Sequence, residues 1–145
     1  MPRACTNPNQ SEQLLEHGFR AQAADFWWTP FVWTIPDPNA APVLAYADKP
    51  TLYTEQFTPQ DVPAFSLTTL FQALPSSILV DGVTYYLNIA KEQDSYMLSY
   101  SNLIEPSTYI YRDGFDLIDI TVQIIVFLLK NNIPLNSSYI YNNPQ

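Results

Sequence analysis

Residues 114–131 form the longest uninterrupted apolar stretch of the chain, and any fold of this sequence has to bury it. At roughly 100° per residue, the polar positions of this stretch fall on one narrow stripe of a helix, at Asp116, Asp119, Gln123 and Lys130. A helix that is apolar almost all round either lies in a core or crosses a membrane. The polar stripe leaves an apolar segment of about eleven residues, well short of the ~20 that a membrane span needs. The sequence therefore predicts a core helix.

A helix of this kind needs a covering layer on both sides. We expect a sheet on one side of the helix. On the other side we expect a second helix or a second subunit, and the second subunit would make the protein a homo-oligomer, which we predict.

The segment before this helix has the alternating pattern of an antiparallel sheet. Val83, Tyr85 and Leu87 point to one face of a strand, and the next strand alternates Tyr and Leu with Met and Ser. An Asp81-Gly82 pair between two β-like segments is typical of a two-residue hairpin turn. The pattern predicts a meander with one face on a core, with strands over residues 78–80, 83–90, 96–101 and 108–111.

Shorter strands are predicted nearer the start of the chain. Residues 26–35 are rich in aromatic and β-branched side chains, which favour strands. Pro30 interrupts this segment, so we expect an edge strand or two short strands. Residues 43–46 and 52–54 are further candidates.

Capping residues indicate where the helices begin. Residues 21–25 are expected to form one helical turn, and Gly18 to end the helix before it. The predicted N-caps are Ser11 for a helix over residues 11–17, Ser66 for a helix over residues 67–74, and Asp113 for the core helix.

These elements predict an α+β fold in a single domain spanning residues 1–145. We expect an antiparallel sheet of three to five strands, packed by the long C-terminal apolar helix and two short helices. Residues 1–10 are predicted to be an extended lead-in, residues 36–63 a proline-rich irregular segment and residues 132–145 a tail.

The charge balance opposes two classes of partner. The formal net charge is −8, with only 6 Lys and Arg among 145 residues. Nucleic acids and anionic membranes both require clustered cations, so neither is an expected partner. Cys5 is the one cysteine and excludes an internal disulfide, and the first residues lack the apolar segment of a signal peptide. These features predict an acidic, soluble, intracellular protein.

Motifs that carry chemistry are scarce. The sequence has no P-loop, nucleophile elbow or Cys/His metal set, and its one histidine, His17, excludes most His-based triads. Cys5 would need His17 or a helix terminus nearby to act as a nucleophile. Asp116 and Asp119 lie on one helix face and are a candidate pair for acid–base work or for a hard cation. Two acids in a first turn are more simply explained by the helix dipole, so we predict no enzyme, metal or cofactor.

The densest aromatic cluster lies at residues 27–33. Packing in a satellite core is its simplest interpretation, and a stacking platform for a planar ligand or an anchor on a partner protein is the alternative. If the ligand is nucleotide-like, the tryptophans stack on its base, while Arg20, Lys49 or Arg112 binds phosphate. The predicted ligand-binding residues are Trp27, Trp28, Trp33, Arg20 and Arg112.

Three stretches together resemble a group of small uncharacterised proteins from gut Bacteroidetes, their phages and integrated elements. They lie at residues 4–28, 61–75 and 116–133, and cover about half of the chain. The resemblance implies no activity and no catalytic residue; it implies an accessory role such as blunting a host defence. The matching positions are Cys5, Thr6, Gln10, Ser11, Leu14, Leu15, Gly18, Ala24, Asp25, Pro63, Ala64, Phe65, Ser66, Leu67, Leu70, Leu74 and Pro75.

Three functions follow from these observations. The first is a non-enzymatic binder of the phage accessory type, an anti-defence protein that sequesters a small nucleotide-derived signal. The second is an inhibitor of a host protein that uses residues 36–63 and exposed aromatic side chains as its interface. The third is a carboxylate- or metal-dependent hydrolase based on Asp116 and Asp119.

Overall fold

A computed structural model describes residues 5–29, 31–32, 35–36, 43–46, 62–104 and 106–136. The predicted strand at residues 52–54 and most of the proline-rich segment and tail lie outside these residues. The described helices are α1 (Pro8–Glu16), α2 (Leu67–Ala73) and α3 (Leu117–Lys130), with a 3-10 turn at Ala21–Ala23. The described strands are β1 (Phe26–Thr29), β2 (Phe31–Val32), β3 (Ile35–Pro36), β4 (Val43–Tyr46), β5 (Val62–Ala64), β6 (Ser77–Val80), β7 (Val83–Glu92), β8 (Ser95–Asn102) and β9 (Ser107–Gly114).

The predicted α+β fold is confirmed. Strands β6, β7, β8 and β9 form an antiparallel meander in that order, and the C-terminal helix and the two short helices pack as one core with it. Asp81 and Gly82 have φ angles of 51° and 80°, which are the left-handed values that a two-residue type I′ turn requires. A β-bulge between Tyr100 and Ser101 adds a local irregularity to the β8–β9 pairing.

Two further small sheets lie near the start of the chain. β1 is the central strand between β4 and β5, and β2 pairs with β3. β1 ends at Thr29 and β2 begins at Phe31, so the predicted division of this segment at Pro30 into short strands is confirmed.

α3 has both of its covering layers within the same chain. It packs against β8 and β9 and also against α1 and α2. The exposed residues on the helix are Gln123 and Lys130, which lie on the predicted polar stripe. A second subunit is therefore not needed to cover α3, although oligomerisation itself stays a prediction. The buried residues of α3 are Ile118, Ile120, Thr121, Val122, Ile124, Ile125 and Leu128.

α3 is 14 residues long. In the part of the chain that the structure describes, no helix combines the length and the hydropathy needed to cross a membrane.

Two of the three predicted N-caps are wrong. α1 is capped by Asn7, not Ser11, and takes in the last three residues of the predicted lead-in. Asn7 and Gln10 form a capping box, in which each side chain accepts the other's backbone N–H, at 2.8 and 3.0 Å. α3 is capped by Asp116, because β9 extends to Gly114 and keeps Asp113 in the sheet. The Ser66 cap of α2 is confirmed.

The ends of α1 and α3 share one geometry. Gly18 has a φ of 96° and Asn132 a φ of 58°, both in the left-handed region. In each case the next residue donates its N–H to a carbonyl in the last turn, from Phe19 to Leu14 and from Ile133 to Leu128. These are Schellman caps, and both of these next residues are buried in the core.

Candidate functional site

On β8 and β9, one face of the meander is covered by α3, and the opposite face carries exposed side chains. Because side chains alternate along a strand, neighbouring residues of β8 lie on opposite faces. Leu98 and Tyr100 lie on the helix side and are fully buried, whereas Ser99 between them is partly accessible on the other side. We call the second surface the open face; it consists of Ser77, Leu79, Thr84, Tyr86, Asn88, Ala90, Glu92, Ser95, Met97, Ser99, Ser101, Thr108, Tyr111 and Asp113.

Two tyrosines flank the middle of the open face. Ser99 pairs with Asn88 on one side and with Tyr111 on the other, and Ser101 pairs with Tyr86. Tyr86 is 53% exposed and Tyr111 is 45% exposed, so both rings are available to a partner. The side chains between them are short and polar, which makes this surface a shallow platform between two aromatic rings.

The polar side chains at the centre of this platform make few hydrogen bonds within the described part of the protein. The hydroxyls of Ser99 and Ser101 lie 3.2 Å apart. The Asn88 amide donates to the carbonyl of Tyr86 across 3.1 Å. The Asn88 amide oxygen and the serine oxygens are acceptors directed toward the solvent side of the sheet, so the platform offers hydrogen bonds as well as ring surfaces.

The acidic end of the open face affects Tyr111. Partial burial of its ring raises the pKa of Tyr111, and the charges of Asp113 and Glu92 together with a hydrogen bond to Asp113 raise it further. A neighbouring carboxylate disfavours the phenolate because both carry negative charge. The strand registers place Glu92, Asp113 and Tyr111 on the same face of the sheet, with Asp113 two residues from Tyr111 on β9.

The predicted ligand-binding residues are placed on different elements. Trp27 and Trp28 belong to the central strand β1, and their side chains, like Trp33 as a whole, lie outside the described residues. Arg20 precedes the 3-10 turn. Arg112 lies on β9 of the other sheet, where it donates to the carbonyl of Tyr111 at 2.8 Å and stands 6.0 Å from the ring of Phe127. Whether these residues form one site stays a prediction.

The candidate carboxylate pair is engaged in structural hydrogen bonds. Asp116 accepts the N–H groups of Ile118 and Asp119 as the N-cap of α3. Asp119 accepts the amide of Gln10 at 3.0 Å through one oxygen and the amide of Gln123 at 3.0 Å through the other. These bonds fasten α1 to α3, and they support the structural interpretation of both aspartates.

Asp25 lies at the centre of a polar network that the sequence did not indicate. Its carboxylate accepts the Ser66 N–H at 3.0 Å, the Ser66 hydroxyl at 2.8 Å and the Thr69 hydroxyl at 2.8 Å. It thus supports the first turn of α2 from a position 41 residues earlier in the chain.

A second part of the network joins the N-terminal segment to the same place. The hydroxyls of Thr6 and Ser11 lie 2.6 Å apart, and Thr6 exchanges two hydrogen bonds with the backbone of Phe65. We call Thr6, Ser11, Asp25, Ser66 and Thr69 the polar junction. Four of these five residues are among the positions that carry the resemblance described above, and here their role is to hold α1 and α2 together.

Cys5 and His17 lie at opposite ends of α1. Cys5 is buried and forms a β-bridge with Ser66. His17 follows α1, where its Nδ1 lies 2.7 Å from the carbonyl of Gln13. Among the described residues, no group of three or more His, Cys, Asp or Glu side chains is arranged to hold a metal ion.

The open face is the feature that the sequence analysis missed. The sequence did contain an indication of this face. Tyr86 and Tyr111 lie at the strand positions that alternate with the apolar ones, where solvated polar residues are expected. The alternation indicated the core face of the meander, but not that the rings on its other face stay exposed.

Comparison of the chain with protein-family models, with curated proteins and with solved structures found no match. The resemblance to phage and Bacteroidetes proteins therefore stays a prediction.

Proposed function

We propose that this protein is a non-enzymatic binding protein that recognises a protein partner through the open face of the four-stranded sheet. The observation that carries this proposal is the pair of exposed tyrosines, Tyr86 and Tyr111, on the face that α3 leaves uncovered.

The arrangement of the face supports recognition of a partner. Tyrosine is enriched in protein interfaces because it contributes a large, rigid contact surface and one hydroxyl. A face built only for solvation has no need of two large rings on either side of a row of serines. Apolar atoms are common on any protein surface, but two aromatic rings on one flat, polar platform make a specific contact area.

The other candidate functions have less support. Asp116 and Asp119 already serve as a helix cap and as a bridge between helices, so a hydrolase would have to use groups that stabilise the fold. Sequestration of a nucleotide-like signal by Trp27, Trp28, Trp33, Arg20 and Arg112 stays a prediction, as does an anti-defence role. The inhibitor of a host protein remains as a special case of partner binding, with the open face in place of residues 36–63.

The test compares partner capture by two double variants. The tagged protein and its Tyr86→Ser/Tyr111→Ser variant are expressed in the cells in which the protein occurs, and captured proteins are quantified by mass spectrometry. We expect at least one specific partner of the wild type to fall by tenfold or more in the variant. Tenfold corresponds to ~1.4 kcal/mol, a modest loss for two interface tyrosines.

The matched control removes exposed apolar surface elsewhere. Leu103 and Phe115 are 77% and 80% exposed and lie off the open face. The Leu103→Ser/Phe115→Ser variant should retain the partner. Equal capture by all three proteins, or a loss confined to the control, contradicts the proposal.

A further inference from the structure

The charged residues of the meander are divided between its two faces by sign. The four strands contain four charged residues, in two adjacent pairs: Lys91 with Glu92, and Arg112 with Asp113. Because neighbours in a strand point to opposite faces, each pair places its cation on one side and its anion on the other.

The cations both lie on the helix side. The Lys91 ammonium stands 5.7 Å from the ring centroid of Tyr96, its cross-strand partner. The Arg112 guanidinium stands 6.0 Å from the ring of Phe127 on α3. These contacts are typical of cation–π pairs, and they keep both positive charges away from the open face.

The anions both lie on the open face. Glu92 pairs with Ser95 and Asp113 pairs with Met97, on the same side as Ser99 and Tyr111. Both are exposed. The open face therefore has two carboxylates, two exposed tyrosines and several hydroxyls, and no cation among its residues.

We infer that the partner presents a cationic segment, rich in Arg or Lys, to the open face of the sheet. This inference rests on the proposed function and specifies the chemistry of its partner. Carboxylates attract the positive groups, and the faces of Tyr86 and Tyr111 accept a guanidinium or an ammonium group by cation–π contact. The serines and Asn88 then accept hydrogen bonds from the backbone or side chains of the segment.

The size of the face favours a segment over a whole domain. The face has four strands ~4.8 Å apart, each about eight residues long at ~3.3 Å per residue, so its area is on the order of 400 Å². This is half of the ~800 Å² that each partner contributes to a standard interface. A second copy of this chain is a poor occupant, because its open face has no cation to pair with Glu92 and Asp113 of the first copy.

The experiment uses two synthetic peptides as probes. One is a twelve-residue Arg/Gly peptide, and the other is a Glu/Gly peptide of the same length. Amide chemical shifts of the full-length protein are recorded by NMR during titration with each peptide. We expect the Arg/Gly peptide to shift resonances of Tyr86, Ser99, Tyr111 and Asp113, and the Glu/Gly peptide to shift none of them.

Charge variants separate recognition by the face from attraction by the net charge of −8. Glu92→Gln/Asp113→Asn removes two charges from the open face, and Asp81→Asn/Asp94→Asn removes two from exposed turn positions. The face variant should weaken Arg/Gly peptide binding about tenfold, and the turn variant less than threefold, since only the first removes direct contacts. Preserved amide dispersion shows that each variant is folded.

Three outcomes overturn the inference: equal weakening in both variants, shifts scattered away from the open face, or no binding of the Arg/Gly peptide. The proposed function fails on a different result. If Tyr86→Ser/Tyr111→Ser loses a cellular partner while Glu92→Gln/Asp113→Asn retains it, the face binds a partner that is not cationic. If the tyrosine variant retains every partner, the proposed function itself is wrong.

Discussion

The two faces of the four-stranded sheet are made by the same strands but differ in how deeply their side chains are buried. On the covered face, packing against α3 accounts for the middle of β8, where Leu98 and Tyr100 are fully buried. On the open face, Tyr86 and Tyr111 contribute little to the core and remain half exposed. Burial on the covered face stabilises the fold, and the exposed tyrosines on the other face are the basis of the proposed recognition.

The largest expected effect is on the covered face. Leu98→Ala should lower the free energy of unfolding by about 3 kcal/mol, because it removes buried methyl groups and leaves a cavity. Ser99→Ala, one residue away on the open face, should change it by less than about 0.5 kcal/mol. Urea denaturation followed by circular dichroism measures both. Similar losses in the two variants would show that the open face is part of the core.

The polar junction should give the next largest effect. Asp25→Ala leaves the Ser66 N–H and two hydroxyls without their acceptor, and we expect a loss of about 2 kcal/mol. Asp25→Asn keeps the shape and should lose less. Glu12→Ala, an exposed acid on α1, is the control and should cost under about 0.5 kcal/mol. If Asp25→Ala behaves like the control in urea denaturation, the junction does not stabilise the fold.

The hairpin turn between β6 and β7 sets the register that keeps the two faces apart. A shift by one residue would exchange them. Gly82→Ala should cost about 1 kcal/mol, because alanine is disfavoured at a φ of 80° although nothing crowds its Cβ. Asp81→Asn should have almost no effect, since asparagine tolerates the left-handed conformation. Thermal denaturation compares them, and an unchanged midpoint for Gly82→Ala would argue against the type I′ turn.

The smallest expected effect is on the pKa of a tyrosine, and it differs between the two faces. Burial raises the pKa of Tyr100, whose hydroxyl donates to the carbonyl of Pro75 at 2.7 Å, so this residue should ionise only as the protein unfolds in alkali. Asp113→Asn should lower the pKa of Tyr111, because it removes a negative charge beside the phenolate, and should leave Tyr100 unchanged. Site-resolved NMR of labelled tyrosine, titrated toward high pH, distinguishes the two. No change at Tyr111 would place Asp113 away from its hydroxyl.

Local signals in the sequence were sufficient for much of the fold. The apolar stretch predicted α3, and the Asp81-Gly82 pair predicted the hairpin. Alternation predicted the four strands of the meander, each end correct to within three residues. The Asn7 cap was also readable, because Asn7, Pro8 and Gln10 form a capping-box pattern with proline in the first turn, but Ser11 is an equally good cap by residue type.

The sequence did not predict contacts between distant parts of the chain. Gln10 and Asp119 are 109 residues apart, and neither residue type predicts the other as its partner. The exposure of Tyr86 and Tyr111 depends on the same kind of information, because alternation shows which face meets the core but not what covers the other face. The candidate site was missed for this reason, although its tyrosines were visible at polar positions of the strand pattern.

The most direct test of the central claim is site-specific photo-crosslinking. A benzoylphenylalanine residue is introduced at Ser99, in the middle of the open face, or at Gln123, an exposed position on α3. Both proteins are irradiated in the cells in which the protein occurs. If the open face binds a partner, we expect a discrete cross-link to a protein from position 99 and none from position 123. Cross-links of equal yield from both positions, or from position 123 alone, would contradict it.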